Sequence, residues 1–294
     1  MRVASYNING VNGRLPLLLQ WLSQTSPDVV CLQELKAPNE KFPEAAFAEA
    51  GYGAIWHGQK SWNGVAILAR GRVPDETRRG LPAEPDPLQS RYLEAAVNGA
   101  LVGCLYVPNG NPRPGPKFDY KLAWLRELRA HADTLIGLDA PVILAGDFNI
   151  IPTEFDVYKP ERWTKDALFV PEAREAYHAL IASGWTDAVR YIYPVEKIYT
   201  FWDYFRNSFA RDAGLRIDHF LLNAKAAKGL HSAGVDRAAR ALEKTSDHAP
   251  VWIELGAPNA RAGERPDRSS RGPRCRSRSP TPGPAVGLPE TGLA

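Results

Sequence analysis

The sequence predicts an α/β layered domain, on three observations. Short strand-like runs alternate with amphipathic helical runs through residues 1–255. Prolines punctuate the alternation: Ser26-Pro27 and Ala140-Pro141 separate helices from the strands that follow. Close strand pairs are mixed with longer crossovers, a pattern that does not fit a simple barrel, and no internal repeat is visible.

Taken in order, "RVASYNI", residues 2–8, reads as a strand that ends in polar residues. An amphipathic helix follows over 14–25, then the strand "DVVCLQE" after Pro27. A short helix over 43–50 leads to "GVAILAR". The runs "YLEAAVN" and "LVGCLYV" lie close together and read as a strand pair. A long helix over 116–137 crosses to "PVILAGDFN", and a further helix over 171–183 precedes "IDHFLLN". The run "APVWIEL" closes the series.

A chain of 294 residues makes one large domain or two small ones. Hydrophobic content of 44% and charged content of 23% are ordinary for a soluble globular protein. No apolar run approaches the roughly 18 residues that span a bilayer. "MRVASYNING" enters a strand pattern at once, so a signal peptide is not expected and a cytoplasmic, nucleoid-associated location is. Cys31, Cys104 and Cys275 are isolated, with no CxxC or Cys/His metal spacing, which points to reduced thiols.

The net charge of +3 is unevenly spread. Residues 256–294 hold seven arginines and three acids, a net of +4, which leaves the body at −1. This segment is rich in Pro, Gly, Ser and Arg and poor in bulky apolar residues, so a disordered tail is expected there. Its arginine run would add only non-specific attraction to a polyanion.

The strands end in polar groups. "VASYNING" ends in Asn7 and Asn9, "VVCLQE" in Gln33 and Glu34, and "VILAGDFN" in Asp147 and Asn149. Asp218 opens "IDHFLL", and Asp247 and His248 stand just before "APVWIEL". Strand periodicity points Asp147 and Asn149 the same way and sends Phe148 to the core. Neighbouring residues in an extended segment diverge, so the remote Asp218, rather than Asp247, is expected to orient His248. Singly, each feature reads as a cap, an Asx-turn or a solvated strand end. Together they make a hard-oxygen site. Carboxylates and amides with one imidazole and no cysteine suit Mg²⁺ (or Mn²⁺) rather than structural zinc. There is no P-loop, no dinucleotide fingerprint and no GxSxG. The chemistry that fits is metal-assisted attack of water on a phosphate ester.

The stretches "YNINGVNGR", "DVVCLQELK", "WNGVAIL", "LYVPNG", "KFDYK", "AGDFNIIPTEFD", "YTFWDY", "GLRIDHFLL" and "TSDHAPVW" resemble the endonuclease/exonuclease/phosphatase superfamily. Within it, they resemble the exonuclease III type of apurinic/apyrimidinic DNA endonuclease, in family order across residues 1–255. The resemblance implies a four-layered α/β-sandwich with two packed mixed β-sheets flanked by helices. It implies Mg²⁺ at Glu34 with Asn7 and Asp247 supporting. Asp147 would take the proton of water or give one to the leaving oxygen, with Asn149 as its orienting partner. His248, held by Asp218, and Tyr106 would bind the phosphate. Phe201, Leu215 and Ile217, with Trp202 close by, would line a pocket for a flipped-out baseless sugar. The implied partner is double-stranded DNA with abasic sites or blocked 3′ ends, cut by a monomer.

Arg113, Lys117 and Lys121 in "NPRPGPKFDYK", and Arg14, are candidate phosphate contacts. Exonuclease III itself is expected to carry a basic residue directly after "NING", where this chain has "VNG" before Arg14. The rival readings are a phosphodiesterase of the superfamily with another substrate, such as a phosphoinositide, and a DNA-binding module acting through its arginine-rich tail. The complete set of acids, amides and histidine argues against the second.

Overall fold

The computed structural model describes residues 1–256. The expected tail lies outside the described residues apart from Gly256, and so does Cys275. Twelve strands form two six-stranded sheets. The first has the order β11-β12-β1-β2-β4-β3. Its strands are β1 (Arg2–Asn7), β2 (Val29–Gln33), β3 (Tyr52–His57), β4 (Val65–Arg70), β11 (Leu230–Val235) and β12 (Val251–Leu255). The second has the order β5-β6-β7-β8-β10-β9. It comprises β5 (Asp75–Arg79), β6 (Tyr92–Val97), β7 (Ala100–Tyr106), β8 (Val142–Asp147), β9 (Thr186–Asp187) and β10 (Asp218–Leu222).

The sheets pack face to face. Val3, Cys31 and Ile67 of the first meet Leu93, Cys104, Ile143 and Phe220 of the second in one buried core. Alternate residues, such as Ala4, Tyr6 and Leu32, face outward under α1 (Val11–Thr25) and α2 (Glu44–Glu49). Leu144 and Phe148 do the same under α3 (Pro116–Leu135) and α4 (Pro171–Ala182). Both faces of the central strands are therefore buried, which is the four-layered sandwich expected. Three short helices, α5 (Ala188–Ile192), α6 (Ala224–Gly229) and α7 (Arg237–Arg240), complete the described chain. None of the described helices is long and apolar enough to cross a membrane.

Each sheet has one parallel pair at its centre. β1 runs parallel to β2 with Asn7 beside Gln33, and β7 runs parallel to β8 with Tyr106 beside Asp147. Helices α1 and α3 make these crossovers, and α1 begins at Val11, three residues before its expected start. The carboxyl ends of all four strands consequently emerge at one edge of the sandwich. That edge is where open α/β sheets place their ligands.

Candidate active site

β8 delivers Asp147 through a close approach to β7. A Cβ at Gly146 would stand 1.9 Å from the Leu105 carbonyl oxygen, so the residue before Asp147 must be glycine. The strand then stops. Asn149 takes a left-handed φ of 48°, and its N–H donates to Asp147 Oδ1 at 2.8 Å. Asp147 and Asn149 do converge, but through this Asx-turn and not through the strand alternation expected. Phe148 is fully buried and packs edge-on against Tyr177 and His219.

β1 ends in a similar turn, where the Asn9 N–H donates to Asn7 Oδ1 at 3.1 Å. The Asn7 amide nitrogen donates to Glu34 Oε1 and to Asp147 Oδ2, each at 3.0 Å. Asn7 therefore ties the two acids together across the two sheets. Glu34 follows β2 at a φ of 53°. Its Oε1 also accepts the Tyr106 hydroxyl at 2.8 Å, and its Oε2 pairs with Lys36 at 2.8 Å. Burial opposes the Glu34 charge, but Lys36 and Asn7 hold its carboxyl below its ordinary range. Burial, with Glu34 and Asp147 nearby, pushes the Tyr106 phenol up, so it stays a donor.

His248 donates from Nδ1 to Asp218 Oδ2 at 2.8 Å, as the sequence indicates. Its Nε2 stands 3.7 Å from Asp147 Oδ2. Burial disfavours the imidazolium, yet Asp218 and then Asp147 raise it to about 10. Asp147 is raised to about 7, first by burial; His248 pulls the other way, and Asp218 adds to the rise.

The donor set fits a hard divalent cation. Asn7 and Asn9 link Glu34, Asp147 and Asp247, and the buried Asp218 Oδ1 has no hydrogen-bond partner. The Lys36 ammonium already lies where a cation is wanted, 2.8 Å from Glu34 Oε2 and 2.7 Å from Asn9 Oδ1. Asp147, Asp218 and His248 also offer donor atoms within 4.8 Å of one another. Within that trio His248 Nδ1 is already committed to Asp218. Asn9, which the sequence placed among the strand-end polar groups without a role, and Lys36, which it did not single out, both stand at this site: Asn9 also donates to Asp247 Oδ1 at 3.0 Å. Their signal was present in "NIN" and "LQELK", where each lies two residues beyond an expected ligand.

Two expected contacts need correction. Lys121 is fully buried and cannot present its charge to DNA; its ammonium serves three main-chain carbonyls. Trp202 is also fully buried, with its indole N–H on Asp212 at 3.0 Å and Phe209 edge-on to its ring, so it cannot line a substrate pocket. Phe201, Leu215 and Ile217 do cluster beside the site, with the Phe201 ring 5.0 Å from that of His248. Leu215 and Ile217 are only 3% and 2% exposed, so Phe201 alone offers surface. Lys117 is exposed and lines a cleft of about 670 Å³ that runs from Glu34, Lys36 and Tyr106 to Trp62. Arg113 is half-buried over Phe118, and Arg14 bonds the Asn9 carbonyl and the Tyr204 hydroxyl.

Residues 4–248 match the model of the endonuclease/exonuclease/phosphatase family. The chain is 34% identical to the exodeoxyribonuclease III of Haemophilus influenzae, over 87% of this chain and all of that one. A 3′ phosphatase from Neisseria, solved with a product DNA hairpin, is similar with a TM-score of 0.85 at 39% identity; the match covers 87% of this chain and 100% of the other. An AP endonuclease from Archaeoglobus fulgidus gives a TM-score of 0.84 at 34% identity, with the same two coverages. The family match over residues 4–248, the identity to an exodeoxyribonuclease III and the shared four-layered sandwich make this chain a DNA-directed phosphodiester hydrolase that belongs to the endonuclease/exonuclease/phosphatase family.

Proposed function

We propose that the chain is a Mg²⁺-dependent DNA repair phosphodiesterase, for which Mn²⁺ can substitute. It incises the backbone 5′ to abasic sites, leaving a 3′-hydroxyl, and trims blocked 3′ ends. The observation that carries this reading is the environment of Asp147. Asn149 N–H, Asn7 Nδ2, Asn149 Nδ2 and His248 Nε2 all direct N–H groups at its two oxygens. These donors oppose the burial that raises its pKa to about 7, so above that pH Asp147 is an anion that takes a proton rather than giving one.

Asp147 accordingly removes the proton of the attacking water. His248 Nε2, kept charged by Asp218, and the Tyr106 hydroxyl donate to the phosphate oxygens as they gain charge. A divalent cation at Glu34, with Asp247 and Asn9 beside it, supplies further charge neutralisation when bound. Phe201 covers the deoxyribose of a nucleotide that has no base. A DNA substrate supports a location at the nucleoid.

The test is a duplex oligonucleotide with one tetrahydrofuran abasic analogue. Cutting at the analogue is expected with Mg²⁺, with loss in EDTA and recovery on adding excess Mg²⁺. Full activity in EDTA overturns the cation requirement, and activity on an inositol phosphate but not on this duplex overturns the substrate.

The pH dependence follows from the two buried groups. As base, Asp147 works ionised, so kcat/KM is expected to rise as pH passes about 7. His248 works charged, so activity falls as pH approaches about 10. Asp218→Asn removes the charge that raises His248, and its alkaline limb is expected to move to lower pH. An unmoved limb would separate His248 from that part of the profile.

A further inference from the structure

Helix α3 carries Lys121 inward, beneath the turn that holds the base. The side chain is fully buried. Its ammonium donates to the carbonyl oxygens of Asn149 at 2.6 Å, Ala167 at 3.0 Å and Asn109 at 3.1 Å. Three donors thus meet three acceptors, one from each of three segments: the turn after β8, the loop after β7 and the stretch before α4. Among the described residues no carboxylate lies within 4.0 Å of it, and burial pushes the ammonium down to about 7. An isolated buried ammonium costs several kcal/mol, which a core methionine or leucine in its place would not.

The packing around it is specific. A Cβ at Gly110 would stand 2.7 Å from Lys121 Cδ, so the loop after β7 closes directly on the stem. Asn109 of that loop donates to Asn149 Oδ1 at 3.2 Å. Asn149 in turn supplies the N–H that fixes Asp147 Oδ1. Lys121 therefore grips both sides of the hydrogen-bonded unit that aims the Asp147 carboxylate.

We propose that Lys121 is a positioning residue for the hydrolysis: it clamps the Asp147–Asn149 turn against the Asn109 loop by its three carbonyl bonds and never touches the nucleic acid. This rests on the reading of Asp147 as the base. A misplacement of about 1 Å at a reacting group costs on the order of 10²-fold in rate.

Lys121→Met keeps the apolar stem and removes the donors. With saturating abasic duplex and Mg²⁺, its single-turnover rate is expected to fall about 10- to 100-fold. Its Kd for the duplex, and the slope of log Kd against log salt, are expected to stay at the wild-type values. A folded variant with the wild-type rate overturns the proposal. So does a raised Kd with a slope flatter by about one, the mark of a lost phosphate contact. Lys121→Arg keeps the charge for any phosphate but puts a longer, planar group in a closed slot. It is expected to cut slowly too, and normal cutting by it overturns the clamp.

The wild-type protein gives a check that does not depend on any variant folding. Brief acetylation of native enzyme, read by mass spectrometry, is expected to spare Lys121 with or without DNA while modifying Lys117. Labelling of Lys121 in the free enzyme with protection by DNA overturns the proposal. A wrong assignment of the base shows differently, as an active Asp147→Asn enzyme, and leaves the labelling pattern untouched.

Discussion

Asp147→Asn is expected to cut abasic duplex roughly 10²- to 10⁴-fold more slowly, the range a positioned general base supplies. The change preserves shape and removes the site that accepts the proton. It also turns an acceptor into an NH₂ facing Asn7 Nδ2 and His248 Nε2, two groups that can only donate there. The loss belongs in kcat, because the phosphate-facing groups Tyr106 and His248 remain. Single-turnover cutting with excess enzyme measures it, and a wild-type rate would remove Asp147 from the mechanism. Stability should not fall in parallel. The Asp147 pKa is raised on folding from 3.8 to about 7, so its favourable contribution is complete only below 3.8 and is lost as pH rises through about 7. The metal-free Asn variant is therefore expected to resist urea at neutral pH at least as well as the wild type.

Asp156→Ala is expected to destabilise the fold by about 3–5 kcal/mol, the loss typical when one member of a buried ion cluster is removed. Asp156 Oδ1 accepts from Arg216 Nε at 2.7 Å and from Arg190 Nη2 at 2.6 Å. Arg216 is 1% exposed and also bonds Asp187 at 2.8 Å. Truncating Asp156 leaves Arg216 with the Asp187 carboxylate alone and the Arg190 guanidinium with main-chain carbonyls only. Urea denaturation is the measurement, and a loss below about 1 kcal/mol would mean that water or a neighbour takes over the vacated place. Removing charge on both sides, as in Asp156→Leu with Arg216→Met, is expected to recover part of the loss, since apolar replacements of paired ions are often tolerated. Burial opposes the Asp156 charge, but Arg216 first holds its pKa down to about 2 from 3.8. Its contribution is therefore complete above 3.8 and disappears as pH falls through about 2. Arg216 directly precedes Ile217 and Asp218, so this cluster also anchors the start of β10, on which the His248 partner stands.

The eight strands legible in the sequence are the interior strands of the two sheets. The four it did not disclose, β3, β5, β9 and β11, are the edges. The reason is physical. An interior strand between two cores reads as a continuous apolar run, whereas an edge strand is free to carry charge. β5, "DETRR", is exposed at every position and discourages pairing with another molecule. The site was legible because it lies at the ends of interior strands, where polar residues interrupt apolar runs. Lys121 and Trp202 were misplaced for the opposite reason: residue type reveals charge or ring, and only the tertiary fold reveals burial. The left-handed turn at Asn149 could not be read as a face of a strand at all.

β1 pairs with β12, and the Met1 carbonyl accepts from the Leu255 N–H at 2.8 Å. Asn7, which joins the two acids, and His248, which is held by Asp218, thus come from opposite ends of the domain. During synthesis β1 can pair early with β2, but the ribosome must release almost the whole domain before β1 meets β12 on its other side. No amino-terminal fragment, stalled or cleaved, holds a complete hydrolytic centre. A chain that stops short of His248 therefore lacks both that side chain and β12, the strand that joins β1 to β11.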